Sequence, residues 1–173
     1  MKKQVYCKTK CTSPLGNITL CCDDKENLVG LWLEGQKHFG NISDGKIIKN
    51  DNLKIFDKTK SWLYKYFRGK RPDIKEIAIN FIGTEFRKSV WEIICKIPYG
   101  KVITYGDIAK QIVKKTGKEK MSAQAVGGAV GHNPISIIVP CHRVIGTNGN
   151  LTGYAAGIDK KIYLLKLEKH GCL

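Results

Sequence analysis

Along the first eighty residues the spacing of apolar positions changes several times. Asn17-Ile18-Thr19-Leu20-Cys21 alternates with period two, and Leu28-Val29-Gly30-Leu31-Trp32-Leu33 is a continuous apolar run; both predict strands. Ser13-Pro14-Leu15-Gly16 is a turn leading into the first, and the polar residues 23–27 between the two predict a hairpin. Over residues 54–66 the pattern becomes helical, with Ile55, Leu63, Tyr64 and Phe67 at roughly one-turn spacing before Arg68-Gly69 ends it. Ile77-Ala78-Ile79-Asn80-Phe81 predicts a further strand. This half reads as a small α/β unit, and nothing in it points to chemistry.

The second half is helical in pattern. Thr84 is placed to cap a helix from Glu85 to about Ile97, with Phe86, Val90, Trp91, Ile94 and Ile97 on one face and Pro98-Tyr99-Gly100 as its stop. A β-prone pair, Val102-Ile103, precedes a second cap at Thr104, with Asp107 three residues on as in a capping box, and a short helix over 105–113. A lysine-rich loop over 114–120 follows, then Ser122 caps a helix to about residue 130. Helix, loop and helix predict a helix-turn-helix, with a loop longer than usual. The domain boundary is expected near 80–85, dividing an α/β domain over 1–82 from a mostly α domain over 83–173.

The apolar run Ile135-Ser136-Ile137-Ile138-Val139 reads as a buried strand that Pro140 ends, because proline has no N–H for a ladder. Cys141 would then stand where buried backbone opens into a pocket, and only its thiolate would be a good nucleophile. His142 follows directly. Neighbours in extended chain point to opposite sides, so a thiol–imidazole relay needs a kinked backbone or a bridging water. Without context a Cys-His pair is more often structural than catalytic.

Composition adds three things. There are 30 Lys and Arg against 15 Asp and Glu, a net charge of +15 that favours polyanions; both halves are basic, so charge does not locate a binding face. The seven cysteines, at 7, 11, 21, 22, 95, 141 and 172, are odd in number and irregular in spacing, which argues for reduced thiols over a disulfide framework. Cys7, Cys11, Cys21, Cys22 and His38 could in principle bind zinc, but no matched Cys-x-x-Cys pairs support it, and no metal is expected. No apolar run spans a bilayer, and the start Met1-Lys2-Lys3-Gln4 leads into a polar stretch, so the cytoplasm is the expected compartment.

Pro140-Cys141-His142-Arg143-Val144, preceded by Ala125-Val126-Gly127-Gly128-Ala129-Val130-Gly131-His132-Asn133-Pro134, resembles the O6-alkylguanine-DNA alkyltransferase family. The similarity is strong from Phe86 to Glu168 and weaker through the Ser13–Gly16 turn. It implies a ribonuclease H-like N-terminal domain and a winged-helix-like C-terminal domain. It also implies repair of O6-alkylguanine, with O4-alkylthymine as a further candidate, by single, irreversible transfer of the alkyl group to Cys141, with no cofactor. By the same resemblance His142 and a water relay the thiol proton, Glu168 orients His142, and Asn133 ties the helix-turn-helix to the active-site strand. Tyr105 donates toward guanine N3 and contacts the displaced phosphate. Tyr154, Ala155 and Ala156 belong to a loop covering the base, and the carbonyls of Cys141 and Val144 accept from its amino group. The partner implied is double-stranded DNA, entered from the minor groove by a monomer with the base flipped out. Ser122, Ala123, Gln124, Gly127 and Gly128 of the recognition helix, with Arg87, Thr104 and Tyr105, are the implied DNA contacts.

Several of these residues also have plainer readings. Asn133 is an ordinary turn residue before proline, Tyr105 a half-buried aromatic at a helix start, and Glu168 a solvated acid on the helix after Asp159. Each helix glycine costs about 1 kcal/mol relative to alanine; close approach to DNA would repay that, and so would tight packing on the core for one of the two. The sequence departs from the family pattern at Gln124, where an arginine usually fills the gap left by the flipped base, and at Ala156, where glycine is common. Three other functions are compatible with parts of the sequence: a lesion sensor that flips but cannot react, a helix-turn-helix regulator, and a thiol hydrolase. The presence of Cys141 argues against the first, and the Cys141–His142–Glu168 set against the second. Turnover on esters or peptides would mark the third.

Overall fold

β1 (Val5–Ser13) and β2 (Gly16–Cys22) form a two-residue hairpin about Pro14-Leu15, and β3 (Leu28–Leu33) pairs antiparallel on the far side of β2. β4 (Lys46–Lys49) adds parallel to β1, giving the sheet order β3-β2-β1-β4. The computed structural model describes residues 4–40, 42 and 45–171; Met1–Lys3 and Cys172, named above, lie outside them. The 23–27 hairpin is present, closed by Asp23, whose carboxylate accepts from the backbone of Lys25 and Asn27. β1 and β4 escaped the sequence reading because their lysines interrupt any clean alternation.

The two faces of this sheet bury separate clusters, and β4 at the edge stays exposed. Ile18, Leu20, Leu31 and Leu33 face the main core with α1 (Lys54–Phe67), while Tyr6, Cys21, Val29 and Trp32 form a second, smaller cluster. Gly30 is required by this second layer: a Cβ there would lie 1.9 Å from the Trp32 ring, which crosses the strand at that point. On α1 the buried stripe is Ile55, Phe56, Thr59, Trp62, Leu63 and Tyr66. Tyr64, expected on the apolar face, is instead exposed beside Arg68, because the stripe is centred one position away.

The rest of the chain is helical: α2 (Glu85–Cys95), α3 (Tyr105–Thr116), α4 (Ala123–Gly131) and α5 (Ile158–His170), with the two-residue strands β5 (Ile103–Thr104) and β6 (Val144–Ile145) paired parallel. The three expected caps form: Thr84, Thr104 and Ser122 each accept from a first-turn N–H, and Asp107 completes the box on Thr104. α3 runs on to Thr116, ending at Gly117 with φ 69°, so the loop to α4 is shorter than expected. α2 is tied to α4 by the Trp91 indole, which donates to the Ala129 carbonyl at 2.9 Å. None of the helices is long and apolar enough to cross a membrane, among the described residues.

Two expected strands shrink to single bridges on the free edge of β3. Residues 77–81 touch it only through Ile79 opposite Leu28, and residues 135–139 only through Ile135 opposite Leu31. β3 is six residues long, and two passing segments share its edge, each receiving one pair of backbone bonds. Buried apolar character was legible in both; ladder length was decided by the competing neighbour.

Candidate active site

After its bridge to β3, the chain folds back instead of continuing as a strand. Ile138 N–H donates to the Ser136 carbonyl at 2.8 Å around Ile137, whose φ is +70°, a costly conformation for a β-branched residue. Pro140, at φ −81° and ψ 62°, forms an inverse γ-turn closed by Cys141 N–H on the Val139 carbonyl at 2.8 Å. One 3-10 turn over Cys141–Arg143 follows. This bend replaces the expected straight strand, and no direct hydrogen bond joins the Cys141 thiol to His142 among the described residues.

Asn133 holds this bend. Its Oδ1 accepts from Ile135 N–H at 3.0 Å, and its Nδ2 donates to the Val139 carbonyl at 2.9 Å and to Cys141 Sγ at 3.0 Å. One amide thus spans the turn from the end of α4 to the thiol. Both of its ends are used in the interior, which a turn-forming role alone would not require.

His142 is fully buried, and its Nε2 lies 2.6 Å from Glu168 Oε1. Burial alone would raise the Glu168 carboxyl, but donors from His142 and Arg143 outweigh it and hold the group far below the usual carboxylate range. An ionised acceptor requires the proton on Nε2. In neutral His142 the lone pair is therefore at Nδ1, a buried atom with no hydrogen-bond partner among the described residues. Burial pushes the imidazole down, against the pull of Glu168, so the neutral form is the resting one.

Two functional-site residues were missed in the sequence. Arg143 forks onto Glu168, with Nε to Oε2 at 2.9 Å and an NH2 group to Oε1 at 3.0 Å, while its other nitrogen reaches the Ile97 carbonyl. Lys161 is wholly buried on α5; its ammonium donates to the Val144 carbonyl at 2.6 Å and to Thr152 at 3.0 Å. The adjacent lysine pair 160–161, in so basic a chain, gave no hint of burial. Burial drives the Cys141 thiol up, and the Asn133 amide and the Lys161 charge pull it back.

A cavity of about 400 Å³ lies between α4 and residues 152–155, lined among others by Tyr105, Gln124, Gly127, Tyr154 and Ala155. Tyr105 here donates to the Thr152 and Gly153 carbonyls at 3.0 and 3.2 Å, so it fastens the covering loop to α3. Ala156 and Tyr154 are buried, Tyr154 close enough to the thiol to feel its charge; the Ala155 carbonyl accepts from Lys37 N–H at 3.0 Å. Val144 carbonyl already holds Lys161, leaving one lone pair. Thr104 and Ser122 hydroxyls are engaged as caps, Ala123 and Gln124 are exposed in the first turn of α4, and Arg87 sits in the first turn of α2. A Cβ on Gly127 would meet only the Tyr105 ring at 3.8 Å, and one on Gly128 nothing within 4 Å. Internal packing therefore requires neither glycine.

Cys7 stands opposite Cys22 across β1 and β2, without a larger gathering of N-terminal cysteines among the described residues. Cys21 and Cys22 are strand neighbours and enter opposite clusters, and among the described residues no three His, Cys, Asp or Glu side chains gather.

A buried thiol held by an asparagine, next to a buried His–Glu pair and set under a helix-turn-helix in a strongly basic chain, fits a DNA-handling protein that works through a cysteine. Comparison with known proteins narrows this. Residues 5–81 match the family described as 6-O-methylguanine DNA methyltransferase, ribonuclease-like domain, and residues 85–170 match its DNA binding domain. A methylated-DNA–protein-cysteine methyltransferase of Methanosarcina acetivorans is 44% identical over 90% of this chain and 94% of its own, and one of Haemophilus influenzae is 37% identical over 91% and 83%. The Mycobacterium tuberculosis OGT solved in complex with DNA superposes with a TM-score of 0.80 at 37% identity, covering 97% of this chain and 94% of that one. The chain belongs to the 6-O-methylguanine DNA methyltransferase family.

Proposed function

We propose that this chain repairs O6-alkylguanine in DNA by flipping the base and moving its alkyl group, irreversibly and once per molecule, onto Cys141. The observation that carries the reading is the Asn133–Cys141 and His142–Glu168 geometry beneath α4. His142 Nδ1 takes the thiol proton through a water, and Glu168 stabilises the imidazolium that forms. The thiolate attacks the alkyl carbon in line; the S–C bond forms as the C–O6 bond breaks, and guanine leaves with the electron pair and is protonated through the same relay. The product is a thioether, which lacks the carbonyl through which acyl-enzymes are hydrolysed, so no second step restores the thiol.

DNA is the partner, met by α4. Two glycines free of internal contacts and the small Ala123 and Ala125 let that helix backbone approach a minor groove, and a monomer suffices because every group named above comes from one chain. Residues 1–82 act as the support and 83–173 as the DNA-binding and transfer domain, and the cytoplasm is the compartment that suits free thiols. The test is intact mass after incubation with O6-methylguanine duplex. One methyl per chain, absent in Cys141→Ser, is expected; repeated turnover or an unmodified Cys141 would refute the reading.

A further inference from the structure

Glu168 receives one hydrogen bond from outside the C-terminal half. Tyr66, in the last turn of α1, is buried, and its hydroxyl donates to Glu168 Oε1 at 2.7 Å while lying 3.4 Å from His142 Nε2. The ring is held on two sides, stacked on Trp62 with centroids 5.4 Å apart and edge-on to Tyr99 at 6.0 Å. Tyr66 and His142 thus share one carboxylate oxygen, with Arg143 as a third donor, while Oε2 takes Arg143 Nε and Gly100 N–H. Each donor to Oε1 draws charge away from the bond to the imidazole.

We infer that Tyr66 is a positioning residue for alkyl transfer, its hydroxyl locking Glu168 onto His142 Nε2 and keeping His142 neutral, with Nδ1 available to take the thiol proton. The inference rests on the proposed chemistry at Cys141. The groups that face His142 come from several elements. Glu168 of α5 favours the charged imidazole; Arg143, next in the chain, and Lys161 of α5 oppose it. Tyr66 of α1 weakens the Glu168 contribution, and Cys141, Tyr99 and Tyr154 are neutral neighbours at rest, burial holding each of them above its ordinary value. Protonated His142 cannot accept a proton, so its titration is the acid limb of the reaction.

The experiment is the single-turnover rate of methyl transfer from O6-methylguanine duplex against pH, read by intact mass. In Tyr66→Phe the acid limb moves up by about one pH unit, the size of one hydrogen bond to a charged acceptor, so that rates on that limb fall about tenfold. A difluorinated tyrosine installed at position 66, equal in shape and a stronger donor, moves the limb down. Trp62→Phe loosens the same packing and leaves the limb in place. An unmoved limb in both position-66 proteins, or an equal shift in Trp62→Phe, overturns the inference. Should wild type carry no adduct at any pH, the alkyl-transfer reading is what fails; the His142 titration followed by NMR in the same proteins then decides the effect of Tyr66 separately.

Discussion

Cys21 and Cys22 on β2 and Cys141 below α4 are all free, buried thiols, yet they stand in different surroundings. Around the β2 pair burial dominates, with the nearby cysteines adding to it, and although Lys8 pulls Cys21 back, both thiols are pushed up to about 12. Cys141 is as well buried, but a side-chain amide donor touches its sulfur, and an imidazole whose Nδ1 has no partner among the described residues follows it in the chain. Burial silences a thiol by penalising its anion; reactivity in the interior requires donors and a base fixed around the same atom. The sheet contributes packing, and the bend over 133–143 concentrates the charge.

The sharpest way to break this contrast is Glu168→Gln. It strips the counter-charge from Arg143 and replaces one of the two acceptor oxygens by an NH2 donor facing donors, and leaving a buried charge unpaired costs about 3–5 kcal/mol; urea unfolding will show a lower midpoint, and transfer will fall with it. The pH dependence follows in sign. Glu168 is depressed when folded, and His142 is depressed too, so the unfolded chain takes up protons first, below about pH 6.5 at histidine and about pH 4.3 at glutamate. Wild-type stability is full above that window and falls as pH drops through it, and Glu168→Gln loses the lower part of the dependence.

Lys161→Met removes the cation that favours the Cys141 thiolate. Losing the cation raises the thiol further and leaves the Val144 and Thr152 carbonyls without this donor, and transfer at neutral pH is expected to slow about tenfold. A rate within twofold of wild type would show the lysine to be only a strut. The smallest effect is expected at the rim. Gln124→Arg adds a charge to the exposed first turn of α4, raising duplex affinity and steepening its salt dependence by about one counterion; an unchanged slope would place that side chain off the DNA.

Local signals were read well where they act locally. Caps at Thr84, Thr104 and Ser122, the 23–27 hairpin and the α1 boundaries depend on neighbours within a few residues, and each forms. The reading failed where one apolar stretch had two possible partners. Ile135–Val139 looked like a strand because buried residues look alike in either conformation, and only the limited edge of β3, with Asn133 gripping the turn, sends the chain into a bend instead.

Sequence alone determined which chemistry is present: a proline-bounded Cys-His pair, an asparagine eight residues before the cysteine, an acid on the last helix, and a basic chain with a helix-turn-helix. Tertiary structure decided who touches whom. That Glu168 is an interior anchor and not a surface acid, that Lys161 is buried, that Arg143 completes the carboxylate, and that Tyr66 of α1 reaches the same oxygen, all follow from packing α1 and α5 against one bend. Such contacts join residues up to 102 positions apart, and a desolvated hydrogen bond at that separation leaves no periodicity along the chain to read.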